Sequence, residues 1–377
     1  MQLLLDPNKT YAIALEGGGA KGGYEIGVWK ALNENGFHYN AVSGTSVGAL
    51  NGALMAMCDI NKAIEAWNSV QLSSIVTVDA EEESELKKLF GGTVPITELF
   101  EYIPKIRDLL KSRGLDIAPL RAWIRAIADP EKIRQSPVEL FVTTVSLTER
   151  KGLEIKINDI DDDETLYDML LASAYHPAFK NEPLCDGKTY LDGGAFDSLP
   201  LHVLVENGYK DIIGVRLPGG IGIERRFRIP DDVQVTLIAP NIDLGGALDF
   251  DAERAKQHMI VGYYDTLRVL YGLYGTRYYV ERTLSDRNAL DWILDRYERN
   301  GTDNFRQLLE QELPAQARRL NVHAGDYYEL MIAMLEEDAI SRGVEPYTIR
   351  TDRAFMRAIS DVELEKRKIE KQGTVRV

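Results

Sequence analysis

The sequence predicts an α/β protein built around a mainly parallel sheet, followed by a helical C-terminal region. Three observations lead there. Short β-branched or apolar runs alternate with helical periodicity through the first half, as in successive βαβ units. Two glycine-rich turns each stand between an expected strand and an expected helix. Strand signals then fade after about Leu284.

Taken in order, residues 11–15 read as a strand and residues 17–23 as a glycine-rich turn. A helix follows, in which Tyr24, Val28, Ala31 and Leu32 recur on one face, and it stops at Gly36. Residues 39–43 form the next strand, residues 44–48 a tight turn and residues 47–57 a buried helix. Further strands are expected over 140–145, 189–191, 212–217 and 233–238. Residues 61–135 read as a helical insertion at the sheet's rim, with an acidic patch from Asp79 to Glu85. Its two apolar stripes, Phe100, Ile103, Ile106, Leu110 and Leu120, Trp123, Ile124, Ile127, fit either a lid or acyl-chain wall or simple packing on the sheet. Near the C-terminus, Tyr328, Met331, Ile332, Leu335 and Ala339 share a helical face. The expected domains are thus 1–284, holding the sheet and the insertion, and 285–377, a helical appendage.

A chain of 377 residues with 45% hydrophobic residues can bury a large core. Its 44 Lys+Arg against 59 Asp+Glu give a formal charge of -15, which argues against bulk electrostatic attraction to nucleic acid or an anionic membrane. Lipid contact is expected to be local and apolar. The N-terminus carries no basic segment before an Asp6-Pro7 break, and no apolar run reaches the length of a membrane span. Cys58 and Cys185 are too few for a disulfide framework and lack metal-ligand spacing, so a reduced, cytoplasmic protein without metal or other cofactor is expected.

Gly17-Gly18-Gly19-Ala20-Lys21-Gly22 fits G-x-G-x-x-G, the dinucleotide-binding pattern. That use wants an acidic residue at the end of the second strand to hold a ribose, and here the strand runs into Ser43-Gly44-Thr45-Ser46. No Ser or Thr follows Lys21-Gly22, which excludes a P-loop. The other use is an oxyanion hole, whose backbone N–H groups point into a cavity beside a helix N-terminus. Lys21 would add charge to it or be a solvated lysine at a helix start.

Gly44-Thr45-Ser46-Val47-Gly48 is G-x-S-x-G with a strand before it and a helix after it, the setting of a nucleophile elbow. Ser46 is therefore the candidate nucleophile, and it needs a base. None of His38, His176, His202, His258 and His323 stands in a setting that marks it as one. Asp192 does: it follows an expected strand and precedes Gly193-Gly194, at the sheet edge where α/β proteins assemble sites. Without Ser46, the same Asp-Gly-Gly would read as a simple turn.

The glycine-rich turn, G-x-S-x-G and Asp-Gly-Gly, in this order, resemble the patatin-like phospholipase family. Ala172-Ser173-Ala174-Tyr175-His176-Pro177-Ala178-Phe179 and the stretch from Asp192 through Asp197-Ser198-Leu199-Pro200 resemble two further segments of it. The resemblance spans roughly residues 8–280. It implies a three-layer α/β/α sandwich and hydrolysis of fatty-acyl esters of phospholipids or lysophospholipids. The machinery it implies is a Ser46–Asp192 dyad with an oxyanion hole drawn from Gly17 to Gly22. Ser198 stands where such sequences often have Asn and Lys21 where Arg is frequent, which leaves site support and head-group preference open. An esterase or acyltransferase on smaller esters, or a weakly active lipid-binding regulatory module, would use the same residues.

Overall fold

The computed structural model describes residues 1–77, 114–180, 182–218 and 222–373, with side chains through residue 364. The acidic patch and the stripe from Phe100 to Leu110 lie outside the described residues. The chain divides into two compact units, one of Leu5–Thr266 and one of Met1–Leu4 with Leu267–Val377.

The first unit is organised by β1 (Thr10–Leu15), β2 (His38–Thr45), β3 (Glu139–Ser146), β4 (Lys151–Lys156), β5 (Tyr190–Asp192), β6 (Asp211–Val215) and β7 (Gln234–Ile238). Their order is β4-β3-β2-β1-β6-β7, with β5 also pairing β3. From β3 through β7 the neighbours run parallel, and β4 and β5 join β3 antiparallel. Parallel strands need crossovers, and the crossovers cover both faces with helices. On one face Ala12, Ala14, Ala41, Phe141 and Ile212 pack with Leu201, Val203 and Leu204. On the other, Val42 and Leu140 meet Gly52 of the helix that follows Ser46. Period-2 alternation thus divides each central strand between two helical layers.

Among the described residues, the helices of this unit are α1 (Gly23–Glu34), α2 (Val47–Ala56), α3 (Ile60–Ser69), α4 (Ala118–Ile127), α5 (Pro130–Gln135), α6 (Asp163–Ser173), α7 (Leu201–Glu206) and the start of α8 (Ala252–Tyr271). The expected strands over 11–15, 39–43, 140–145, 189–191, 212–217 and 233–238 correspond to β1, β2, β3, β5, β6 and β7. β4 has no counterpart among those expectations. Its Lys-Gly-Leu-Glu-Ile-Lys is only partly buried at the sheet's edge, where packing imposes little apolar pattern.

In the second unit, β8 (Tyr279–Glu281) pairs in parallel with β9 (Ile349–Thr351) beside α9 (Asp286–Arg299), α10 (Leu313–Arg319), α11 (Tyr327–Arg342) and α12 (Asp352–Gly373). Tyr328, Met331, Ile332, Leu335 and Ala339, the stripe read from the sequence, are all buried in its core. Tyr278 and Val280 belong to that same core, and the two compact units meet in sequence between Thr266 and Leu267, inside α8. β8 pairs with β9 in a separate two-stranded sheet and takes no part in the main one.

Candidate active site

β2 ends at Thr45 and α2 begins at Val47, so the whole reversal falls on Ser46. Its φ of 56 and ψ of -124 lie in a region that non-glycine residues rarely adopt. The sequence pattern assigns the sharp turn to Gly44 and Gly48, but both have ordinary φ. They serve close approach instead: a Cβ on Gly44 would stand 2.2 Å from the Gly48 carbonyl oxygen, and one on Gly48 2.5 Å from that of Leu15. The strained Ser46 backbone is held by its surroundings. Its N–H donates to Ser173 Oγ (2.9 Å), which itself donates to the Thr143 carbonyl (2.7 Å), and its carbonyl accepts from Ala49 in the first turn of α2.

Sheet register brings Asp192 to the same place. One edge of β3 pairs with β2 up to Thr143, opposite Thr45, and then with β5 from Thr144, opposite Asp192. Where β2 leaves the sheet at Ser46, β5 takes up the vacated edge. The Ser46 hydroxyl consequently comes close enough to the Asp192 carboxylate to favour its charged form. The Gly194 N–H donates to Asp192 Oδ1 at 2.8 Å. Desolvation pushes the Asp192 carboxyl up to about 6, and these two donors only partly offset it.

Of the glycine-rich turn, Gly17, Gly18 and Gly19 line the cavity that also exposes Ser46 and Asp192. The N–H of Gly17 is spent on the Ser198 carbonyl (3.0 Å), that of Ala20 on Ala247 (2.8 Å) and that of Lys21 on Gly18 (3.4 Å). Among the described residues, the amides of Gly18 and Gly19 are left without a partner. Gly19 has φ 58, and a Cβ there would meet the Ala247 carbonyl oxygen at 2.0 Å, so the turn tolerates no side chain. Lys21 is not a solvated lysine at a helix start. The side chain is 2% exposed, its Nζ donates to the Pro218 carbonyl at 2.7 Å, and burial lowers its pKa. Ala20, Lys21 and Gly22 stay behind the cavity wall and brace the turn.

The cavity is about 460 Å³ and overwhelmingly apolar, walled by Leu50, Trp67, Ile75, Phe179, Leu248 and Phe250 among others. Leu120 and Trp123 of α4 also line it, so part of the second sequence stripe faces this space while Ile124 and Ile127 are buried beside it. His176 is a lining residue too. Its Nδ1 accepts from the Ala178 N–H at 3.2 Å, its ring lies tilted on Phe179, and burial lowers its pKa. His258 is buried and pulled down to about 4 by desolvation and by Arg254. His38 and His323 are exposed.

His202 joins Glu154 and Glu206 in a group whose ligand atoms lie within 4.8 Å of one another. A guanidinium already fills the place a cation would take: Arg225 Nη1 is 3.1 Å from His202 Nδ1 and 3.5 Å from Glu154 Oε1. Arginine only donates, so Nδ1 accepts and Nε2–H donates to Glu206 at 3.0 Å.

Comparison with known proteins converges on this region. The family model described as "Patatin-like phospholipase" matches residues 13–205, just over half of the chain. The chain belongs to the patatin-like phospholipase family. Rat patatin-like phospholipase domain-containing protein 7 is 27% identical over 211 residues, which are 54% of this chain and 13% of that protein. Neuropathy target esterase sws of Drosophila melanogaster is 29% identical over 221 residues, 55% of this chain and 13% of its own. Lysophospholipase NTE1 of Meyerozyma guilliermondii is 26% identical over 210 residues, 55% of this chain and 12% of its own. The chain thus spans only about an eighth of these relatives. Among solved structures, VipD from Legionella pneumophila aligns with a TM-score of 0.43 at 12% identity, over 89% of this chain and 85% of that one.

Within this patatin-like site, sequence reasoning missed three supports. Ser173 lay inside the quoted Ala-Ser-x-Ala segment, yet nothing in one dimension says that its Oγ holds the Ser46 amide. Thr45 Oγ1 donates to the Asp197 carbonyl (2.7 Å), tying the elbow to the Asp192 loop. Glu16 Oε2 accepts from the Leu217 N–H (2.6 Å) and its Oε1 from Ser198 Oγ (3.4 Å), so Ser198 shares a support with the start of the glycine turn.

Proposed function

We propose that the protein hydrolyses fatty-acyl ester bonds of phospholipids or lysophospholipids through a Ser46–Asp192 dyad and an acyl-enzyme. The observation that carries this reading is the strained Ser46 at the end of β2 sharing one apolar cavity with the Asp192 carboxylate. Asp192 accepts the hydroxyl proton as Ser46 Oγ attacks the acyl carbonyl carbon. The negative charge that forms on the carbonyl oxygen is met by the free amides of Gly18 and Gly19. Collapse expels the alcohol, which takes the proton from Asp192. Water then attacks the acyl-enzyme with Asp192 again as base, and the fatty acid leaves with Ser46 restored.

Apolar walls suit an acyl chain, and no charged side chain besides Asp192 lines the cavity among the described residues, so the acyl part is recognised by shape and desolvation. No described helix is long and apolar enough to cross a membrane. Cys58 and Cys185 are both free and exposed, which fits a reducing, cytoplasmic setting. A side-by-side assay of glycerophospholipids, lysophospholipids and short p-nitrophenyl esters, with fluorophosphonate labelling of Ser46, tests the reading. Labelling with long-chain lipid turnover is expected. Turnover of short esters alone would move the assignment to a general esterase, and labelling without any turnover to a lipid-binding module.

A further inference from the structure

Behind the cavity wall lies a polar chain that the reaction itself does not use. Glu25, in the first turn of α1, is 1% exposed, and its Oε2 accepts from Asn51 Nδ2 at 2.7 Å. The same Asn51 amide nitrogen donates to the Gly22 carbonyl at 3.0 Å, and Asn51 Oδ1 accepts from Trp67 Nε1 at 2.8 Å. This leaves the amide one orientation, because an indole nitrogen only donates and a carbonyl only accepts. One side chain therefore ties together the glycine turn through Gly22, the helix that starts at Ser46, and Trp67. Burial, with Glu16 a smaller contributor, raises the Glu25 carboxyl well above its ordinary value, and its Oε1 is buried without a partner.

Trp67 is the end of the chain that meets substrate space. It lines the cavity edge-to-face with Trp123, their ring centroids 6.2 Å apart at 85°. Its other side is jammed against the glycine turn: a Cβ on Gly22 would stand 2.5 Å from the indole and 2.5 Å from Val47. The Asn51 bond adds to this packing by fixing the indole N–H from behind.

We propose that Glu25 and Asn51 are positioning residues that lock Trp67 as a fixed wall, and that this wall sets how long an acyl chain the Ser46 cavity accepts. The inference rests on the acyl-hydrolase reading for its reaction but not for its wall. A cavity walled in part by a locked indole discriminates by chain length, since each methylene that must be excluded or left in water changes selectivity by roughly tenfold or more. Glu25 contributes a hydrogen-bond acceptor for Asn51, which Gln supplies as well and Ala does not.

The test measures kcat/KM across p-nitrophenyl esters from acetate to palmitate for the full chain and for Trp67→Phe, Asn51→Leu, Glu25→Ala and Glu25→Gln. Trp67→Phe keeps an aromatic ring while deleting the N–H and part of the wall. It is expected to raise the palmitate-to-butyrate ratio by at least tenfold, through KM for the long ester. Asn51→Leu and Glu25→Ala shift the ratio in the same direction, whereas Glu25→Gln returns the parental profile. Ratios within twofold of the parent in both Trp67→Phe and Asn51→Leu overturn the proposal, as does a Glu25→Gln profile equal to that of Glu25→Ala. If Glu25→Ala does not fold, the Trp67→Phe and Glu25→Gln pair still decides. Displacement of a fluorescent fatty acid by fatty acids of graded length from Ser46→Ala protein reads the wall without turnover. A parent that hydrolyses no ester but whose chain-length preference in that assay shifts in Trp67→Phe keeps the wall and loses the hydrolase reading. No shift in that assay overturns the wall whatever the turnover.

Discussion

Asp192 and Asp352 are two carboxylates in similar local positions with opposite chemistry. Asp192 ends β5, and Asp352 follows directly on β9 at the start of α12. Burial pushes both upward. Asp352, wholly buried, is surrounded by donors: the amides of Thr283 (2.7 Å), Leu284 (2.8 Å) and Arg353 (2.8 Å) and the hydroxyls of Thr283 (2.5 Å) and Tyr328 (3.0 Å). Those bonds outweigh desolvation, and its pKa is lowered. Asp192 has the Gly194 amide and the Ser46 hydroxyl, and rises to about 6. A satisfied carboxylate is a structural tie, and an under-satisfied one beside a strained serine can take a proton. Glu336 repeats the structural pattern in the second unit, accepting the amides of Thr276, Arg277 and Tyr278 and the Thr276 hydroxyl.

The comparison breaks most sharply at Ser46. Ser46→Ala removes the nucleophile without opening a cavity, so ester hydrolysis and fluorophosphonate labelling are expected to vanish while urea unfolding stays near the parent's midpoint. Near-parental turnover in that variant would show that another residue attacks.

Asp192→Asn keeps the shape and removes the basic oxygen, and kcat is expected to fall by roughly 10²–10⁴-fold. In the parent, kcat/KM should rise about tenfold per pH unit up to about 6 and level off above it, because the base works only when ionised. Single Ala replacements of His38, His176, His202, His258 and His323 should each keep most of the turnover. A histidine variant as damaging as Asp192→Asn would restore a triad.

Stability should respond to the two aspartates with opposite signs. The folded state holds the Asp192 proton more tightly than the unfolded chain, so its contribution declines as pH rises from the ordinary 3.8 to about 6. Asp192→Asn should therefore be more stable than the parent at neutral pH, by up to about 3 kcal/mol. Asp352, with its pKa lowered, contributes stability above the unfolded value that is lost as pH falls through its folded value. Asp352→Ala orphans buried donors and is expected to destabilise the protein by about 3 kcal/mol at neutral pH. Denaturant midpoints measured at pH 4 and pH 7 check both signs, and parallel responses of the two variants would void the contrast.

The smallest expected effect concerns backbone strain. Ser46→Gly accommodates φ 56 without a Cβ and should stabilise the protein by about 1 kcal/mol while remaining inactive. An unchanged or lower unfolding midpoint would mean that the elbow is unstrained.

Ser46, Asp192, Gly18 and Gly19 were legible because their residue types and their places at strand ends are local properties of the chain. So were β1, β2 and β3, whose short apolar or β-branched cores are buried on both faces. The sequence by itself thereby determined the α/β class and singled out Ser46 as candidate nucleophile and Asp192 as candidate base. Tertiary structure alone decided which oxygens and amides remain free. The register that moves β3 from β2 to β5 sets Asp192 beside Ser46 across 146 residues of chain, and distant carbonyls of Ser198 and Ala247 take up the amides of Gly17 and Ala20. The burial of Lys21 and the locking of Trp67 by Asn51 likewise depend on partners far away in sequence, since a hydrogen bond is satisfied in space and leaves no periodicity for a sequence to display.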